Sequence, residues 1–353
     1  MINIIVGGFL SLPGLLLHIV TAPVIALLSA PAMIFLVYSK PKPAKKALST
    51  DPSSKRVIVT GGSSGIGKSI AVAAAKKGVA EVIIIARNKE RLEEARKEIT
   101  QANSSIVVKA LSVDVGRPDS LAEAAKEIFT QDQKPPKTIH LFCCAGAAYP
   151  QYFQDIAPEE FSKAVHTNQL GSIFTAQAFV PLMTSGSVTF CSSGAGQIGV
   201  FGLASYSPTK FALRGYAECL HIELCESPIY VQIAYPPDTD TPGFVEENKT
   251  KPYETKKISE MAGLANPEDI GGTMLKEALK ENPPFNVYFG LEGWLVTTLT
   301  CGFQPVSTVL DAMAQVSIMS VTRWISLFIL NDWYNMIRTY KRGKANNTSS
   351  KHD

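Results

Sequence analysis

Residues 56–78 read RVIVTGGSSGIGKSIAVAAAKKG, and three local signals follow one another within them. Arg56 to Thr60 is a β-branched run with the composition of a buried strand. Gly61-Gly62-Ser63-Ser64-Gly65-Ile66-Gly67 turns the chain. The alanine-rich stretch Lys68 to Lys77 then has the propensity of a helix, closed by Gly78. Strand, glycine turn and helix in this order are the setting a dinucleotide loop requires. Gly61 permits the tight turn, while Gly65 and Gly67 let backbone and pyrophosphate approach each other. The helix N-terminus adds amide donors and a favourable dipole. The expected phosphate-facing residues are therefore Gly61, Ser63, Ser64, Gly65, Ile66 and Gly67, spaced G-x-x-x-G-x-G rather than G-x-G-x-x-G.

The alternation continues downstream. Val82 to Ala86 reads as a second strand, and at its end, where an acid would bind a ribose 2′-hydroxyl, stands Arg87. Arg91 follows one helical turn on. A guanidinium suits a 2′-phosphate through bidentate charge-assisted bonds, so the expected cofactor is NADPH/NADP+. A strand over Ile106–Ser112 leads to Asp114, placed to accept from an adenine amino group, and then to a helix over Ser120–Phe129. The strand Thr138–Phe142 ends in Cys143-Cys144-Ala145-Gly146, and a helix over Phe161–Met183 contains Asn168. A strand over Ser187–Cys191 delivers Ser192 and Ser193 at its carboxyl end. This pattern predicts an α/β fold, a Rossmann-type doubly wound parallel sheet, whose ligands sit beyond the strands' carboxyl ends.

Ser193 to Lys210, SGAGQIGVFGLASYSPTK, holds the candidate chemistry. Tyr206 and Lys210 are four apart and share a helix face, and Ser193 lies thirteen residues before the tyrosine. A hydroxyl, a phenol and an ammonium suffice to hold a carbonyl oxygen and move a proton onto it, with the ammonium expected to lower the phenol's pKa. Asn168 on its helix can hydrogen-bond locally or hold a water beside the lysine.

Thr60–Gly67, Asp114, residues 143–146, Asn168, Ser193 and Tyr206-x-x-x-Lys210 together resemble the short-chain dehydrogenase/reductase family over about residues 54–290. The resemblance implies that Tyr206 donates and accepts the proton, and that Lys210 tunes it and binds the nicotinamide ribose. Ser193 would position the carbonyl, Asn168 would support a water-linked relay, and Thr241 would contact the carboxamide region. It also implies a homo-oligomer through the helices around Asn168 and Tyr206. CCAG replaces the usual NNAG, so the central strand must be held without two Asn amides, and Pro236-Pro237 replaces Pro-Gly. The run AYPPDTDTPGF at 234–244, followed by Glu246-Glu247-Asn248, resembles the branch of that family that reduces long-chain 3-keto sphingoid bases in sphingolipid biosynthesis. That branch implies an endoplasmic reticulum membrane enzyme with its catalytic domain facing the cytosol.

Such a substrate carries an ammonium one carbon from its ketone. Asp238 and Asp240 are the tentative substrate residues for that charge; the alternative is that they and Thr241 cap the helix begun by Pro242. A membrane-bound reductase of steroid, retinoid or acyl ketones stays open as a second function. A catalytically silent lipid-binding or scaffold protein is a third, which the retained Asn168, Ser193, Tyr206 and Lys210 disfavour.

The chain has 353 residues and a net charge of +3, too mild to argue for nucleic acid. Its six cysteines form no CxxC pair, and with five histidines no metal framework is expected. Residues 1–38 contain no Asp, Glu, Lys or Arg and exceed the roughly 20 residues that cross a bilayer, although Pro13, Pro23 and Pro31 interrupt them. They are expected to be an N-terminal transmembrane or membrane-anchoring segment in contact with membrane lipid. The basic linker 39–55, with Lys40, Lys42, Lys45, Lys46 and Lys55, leads to Arg56 and the catalytic domain 56–290, and its charge is expected to keep that side cytosolic. Residues 291–337 are expected to form apolar membrane-associated helices in which Glu292, Asp311 and Arg323 leave no clean span, and 338–353 a polar tail.

Overall fold

The computed structural model describes residues 47–130, 138–306 and 308–349, with Val20, Thr21 and Val24. Within the unit formed by residues 43–293 lie seven strands: β1 (Lys55–Thr60), β2 (Glu81–Ala86), β3 (Val107–Ser112), β4 (Thr138–Cys143), β5 (Gly186–Cys191), β6 (Ile229–Ala234) and β7 (Asn286–Val287). All pair in parallel, in the order β3-β2-β1-β4-β5-β6-β7. Between them run α1 (Gly65–Lys76), α2 (Lys89–Ala102), α3 (Pro118–Thr130), α4 (Pro158–Ala164), α5 (Gly171–Phe179), α6 (Ser207–Glu223), α7 (Pro242–Thr250), α8 (Tyr253–Ala262) and α9 (Pro267–Ala278).

Strand alternation explains the continuous apolar runs. Val57, Val59, Val82 and Ile84 face one layer, built on Ile70, Leu92, Ile99 and Met274 of α1, α2 and α9. Ile58, Ile83 and Ile85 face the other, built on Leu121, Phe179 and Leu213 of α3, α5 and α6. Both faces of the sheet are covered, as a parallel sheet requires. The strand order reverses between β1 and β4, which opens the crevice beyond their carboxyl ends.

Several boundaries differ from the expectation. The helix over 161–183 is broken: α4 passes through a π-helical turn, Val165–Leu170, before α5, and a short 3-10 turn, Val180–Leu182, ends it at Pro181. Lys55 does not belong to an exposed basic linker, and Arg56 beside it is buried although charged. Both are buried in β1, where Arg56 pairs with Glu81, whose other oxygen takes Lys109 at 2.9 Å. The last strand is only Asn286–Val287, and Gly290, at φ +66°, opens the turn into the next helix.

The expected N-terminal membrane segment 1–38 and linker residues 39–46 lie outside the described residues, save Val20, Thr21 and Val24. At the other end come α10 (Gly290–Leu299) and α11 (Val309–Ser349). Within α11, Asp311–Gly343 is long and apolar enough to cross a membrane by length and composition, although Asp311 and Arg323 lie within it. The helix also continues through Arg338 into the expected polar tail, since Lys, Arg and Ala readily extend a helix already begun.

His140 sits fully buried in β4, its Nδ1 2.8 Å from the Ser187 hydroxyl. Burial and the nearby Lys55 charge lower its pKa from 6.5 to about 3. The unfolded chain therefore takes up a proton that the folded chain refuses. This stabilisation is complete above pH 6.5 and is lost as pH falls toward 3. Between pH 6.5 and 5 the loss is about 2 kcal/mol. Urea unfolding of His140→Gln at the two pH values is expected to lack that increment; an unchanged pH slope would contradict the assignment.

Candidate active site

The glycine turn is held by contacts that leave no room for side chains. Gly61 has φ +72°, and a Cβ there would meet Cys144 and Ala145 backbone at 2.9 Å. A Cβ on Gly67 would lie 2.4 Å from the Gly61 carbonyl oxygen. The glycines thus let α1 press directly on the turn after β1, at the reversal point of the sheet. Ser64 occupies the N-cap position of α1, but its hydroxyl makes no capping bond, so the first-turn amides keep their donors. Ser63 and Ile66 flank these amides, both half-buried. This backbone cradle fits a pyrophosphate.

Arg87 stands exposed just past β2, and Asn88 caps α2 by accepting from the Arg91 amide at 2.7 Å. Neither guanidinium has an ion-pair partner among the described residues. Asp114 follows β3, its Oδ1 accepting from the Gly116 amide at 3.0 Å. Thr241 caps α7, its hydroxyl accepting from Phe244 N at 3.1 Å. Its methyl carbon would lie 3.0 Å from a Cβ on Gly65, so Thr241 borders the glycine turn.

β5 ends at Cys191, and Ser193 opens a short 3-10 turn, its hydroxyl accepting from Ala195 N at 3.1 Å. The same hydroxyl acts on the Tyr206 phenol and favours its ionised form. Tyr206 stands at the N-cap of α6, and Lys210 lies one turn further on. The Lys210 Nζ lies 5.6 Å from the Tyr206 ring centroid and donates to the Cys191 carbonyl at 2.8 Å. Gly196 allows this packing, since a Cβ there would lie 3.0 Å from Lys210 backbone.

Asn168 lies fully buried in the π-helical turn, a feature frequent at functional sites. Its side chain clamps Ala147, accepting from the amide at 2.8 Å and donating to the carbonyl at 2.9 Å. A Cβ on Gly146 would meet Asn168 Oδ1 at 3.1 Å and Lys210 Nζ at 3.4 Å. Ser193, Tyr206, Lys210 and Asn168 therefore converge at the carboxyl edge of β4 and β5. The CCAG segment is held by backbone, Cys144 N donating to Thr60 O at 3.2 Å, and just before it the Thr60 hydroxyl donates to Phe142 O at 3.4 Å. Burial raises the Cys143 thiol, and the hydrogen bond with Cys191, ahead of burial, raises the Cys144 thiol.

The expected lowering of the phenol by Lys210 does not appear in the chain by itself. Burial pushes the Tyr206 phenol up, and the negative charge of Glu247 adds to the rise; the Ser193 hydrogen bond opposes both. Burial in turn pushes the Lys210 ammonium down.

The acidic loop divides. Asp240 is exposed, and its amide donates to Ala265 O at 2.9 Å. Asp238 is half-buried, accepts from the Ser259 hydroxyl and lies 3.8 Å from Lys251 Nζ. Lys251 is bound more closely by Glu247, at 3.0 Å, a residue the sequence did not single out for substrate. The i,i+4 spacing of Glu247 and Lys251 was the available signal.

A family model described as short chain dehydrogenase matches residues 55–252, and the chain belongs to that family of oxidoreductases. It is 40% identical over 317 residues to the 3-dehydrosphinganine reductase of Danio rerio, covering 87% of this chain and 92% of that one. It is likewise 40% identical over 295 residues to the 3-ketodihydrosphingosine reductase of Bos taurus, covering 82% and 87%. Among solved structures, an alcohol dehydrogenase from the archaeon Thermococcus sibiricus complexed with 5-hydroxy-NADP superposes with TM-score 0.53 at 25% identity, over 63% of this chain and 89% of that one.

Proposed function

We infer that this chain is an NADPH-dependent reductase that converts the long-chain ketone 3-ketodihydrosphingosine (3-ketosphinganine) to sphinganine in sphingolipid biosynthesis. Its place would be the endoplasmic reticulum membrane, with residues 56–290 facing the cytosol. The observation that carries this reading is identity of 40% across 92% of a relative named for that reaction. The convergence of Ser193, Tyr206 and Lys210 beside the glycine cradle supports it. The apolar stretch Asp311–Gly343 suits an enzyme whose substrate stays in a bilayer.

The cofactor would rest on Gly61, Ser63, Ser64, Gly65, Ile66 and Gly67, with Asp114 toward the adenine, Arg87 and Arg91 toward a 2′-phosphate, and Thr241 toward the carboxamide. When bound, it supplies the hydride for the carbonyl carbon. The Ser193 hydroxyl holds the carbonyl oxygen, and the Tyr206 phenol delivers the proton to it. Lys210 holds positive charge beneath the phenol ring, at 5.6 Å from its centroid, and Tyr206 and Lys210 would also border the nicotinamide ribose. Asn168 fixes the Ala147 backbone and so keeps the wall behind Lys210 in place. In this reading it also supports a water-linked proton relay to the lysine.

The test is NADPH consumption by the full-length chain in detergent micelles, with sphingoid, steroid and retinoid carbonyls compared. The sphingoid ketone is expected to give the highest kcat/KM, and a higher value with a steroid or retinoid would overturn the reading. Arg87→Ala is expected to narrow the preference for NADPH over NADH by about 10- to 100-fold, the worth of a charge-assisted bond. A preference unchanged in that variant would remove Arg87 from the cofactor site.

A further inference from the structure

The segment after β6 places an alkylammonium in a cage. The Lys251 side chain is only 1% exposed. Its Nζ lies 3.0 Å from Glu247 Oε1, 3.3 Å from the Ser259 hydroxyl and 3.8 Å from Asp238 Oδ2. It also stands over the Phe244 ring at 4.3 Å, a cation–π distance. Two carboxylates thus share one ammonium, and no other cation pairs with either among the described residues. With both carboxylates ionised the trio carries one net negative charge, although burial raises the Glu247 carboxyl and only Lys251 opposes that rise. The loop that carries Asp238 borders the reacting centre: Gly194 N, one residue past Ser193, donates to Pro236 O at 3.0 Å, and the charges of Glu247 and Asp238 act on the Tyr206 phenol. Helix α8 fixes the geometry by docking on the serine–tyrosine segment: the Thr255 hydroxyl donates to Phe201 O at 2.8 Å, and Gly202 leaves no room for a Cβ beneath Thr255.

We propose that Glu247, with Asp238 as the second wall of the cage, is the specificity-determining residue that selects a ketone bearing an ammonium on the adjacent carbon. This rests on the reductase reading above. A substrate ammonium seated against Glu247 brings the cage to neutrality and turns the neighbouring carbonyl toward Ser193 and Tyr206. It also removes the negative charge that holds the phenol's proton, so the right substrate makes its own acid stronger. An N-acylated analogue brings no charge and gains neither effect. Asp240, exposed and outside the cage, takes no part.

The experiment measures kcat and KM of the full-length chain with saturating NADPH, for 3-ketosphinganine and for its N-acetyl analogue. The natural chain is expected to favour the amine by about 10- to 150-fold, the range of one charge-assisted bond. Glu247→Gln is expected to lose at least about tenfold of that ratio through KM for the amine, while its kcat for the N-acetyl ketone holds or rises. Glu246→Gln, which alters only an exposed pair with Lys249, should keep the ratio. A merely structural role for Glu247 would lower turnover of both ketones alike and leave the ratio unchanged, and that result overturns the proposal. Should Glu247→Gln fail to fold, Lys251→Met decides: freeing the carboxylates should raise the preference for the amine, and a fall contradicts it. Equal activity of the natural chain on both ketones sinks Glu247 as selector but leaves the reductase reading standing, whereas activity on neither removes both.

Discussion

Tyr206→Phe is expected to lower kcat by about 10²- to 10⁴-fold, the usual worth of a positioned general acid, while NADPH affinity falls far less than kcat. The substitution removes one oxygen and keeps the ring beside Lys210 Nζ. It removes the oxygen on which the Ser193 hydroxyl acts, and leaves the serine hydroxyl still held by Ala195 N at 3.1 Å. The phosphates would be held by the glycine cradle, so the cofactor should still bind with at most a lost ribose contact. Single-turnover oxidation of NADPH, paired with a fluorescence titration of NADPH, separates the two effects. A variant that loses cofactor affinity in step with kcat would mean that the phenol is structural, and one that retains full kcat would mean that the proton comes from elsewhere.

Gly67→Ala should be nearly as damaging, for a different reason. The new Cβ would sit 2.4 Å from the Gly61 carbonyl oxygen and 2.8 Å from its carbon, both backbone atoms that cannot swing aside. Helix α1 must therefore move away from the turn after β1, which breaks the phosphate cradle and strains its packing on the sheet. Overpacking of this kind costs about 1–3 kcal/mol of stability. The dissociation constant for NADPH should rise by about 100-fold or more, since the amides that would bind its phosphates are displaced together, each charge-assisted bond being worth about 1.5–3 kcal/mol. Gly272→Ala in α9 is the control, because a Cβ there meets nothing within 4 Å. Equal NADPH affinity in the two variants would show that the cradle tolerates displacement and is not the binding element.

The features most legible in the sequence are those whose chemistry is local. Thr60 to Gly67 declares its turn because the glycines, the strand before them and the helix after them are contiguous. Tyr206 and Lys210 declare a shared face because four residues span one helical turn. Thr241 announces a helix start through Pro242, and it caps that helix. What could not be read depends on distant partners. The Ala147 contacts of Asn168 join positions 21 residues apart through a π-helical turn that no local pattern marks. Lys55 reads as the end of a basic linker, and the ion pair that buries its neighbour Arg56 is not legible because Glu81, on the neighbouring strand, lies 25 residues away. Asp238 and Asp240 looked equivalent for a substrate charge. Only the folding of α8 against the loop separates them, bringing Ser259 and Lys251 to Asp238 and leaving Asp240 in solvent. The expected drop in the phenol's pKa presumed a dominant lysine, whereas burial and Glu247 outweigh it.

The most direct test of the central claim follows a single atom. The full-length chain is incubated with 3-ketosphinganine and NADPH deuterated at the nicotinamide C4, using both stereoisomers, and the lipid product is weighed by mass spectrometry. One of the two isomers should yield sphinganine carrying a single deuterium on the former ketone carbon, and Tyr206→Phe should yield almost none. Recovery of unreduced ketone with the natural chain, or of sphinganine without deuterium from either isomer, would contradict a hydride transfer at the site formed by Ser193, Tyr206 and Lys210.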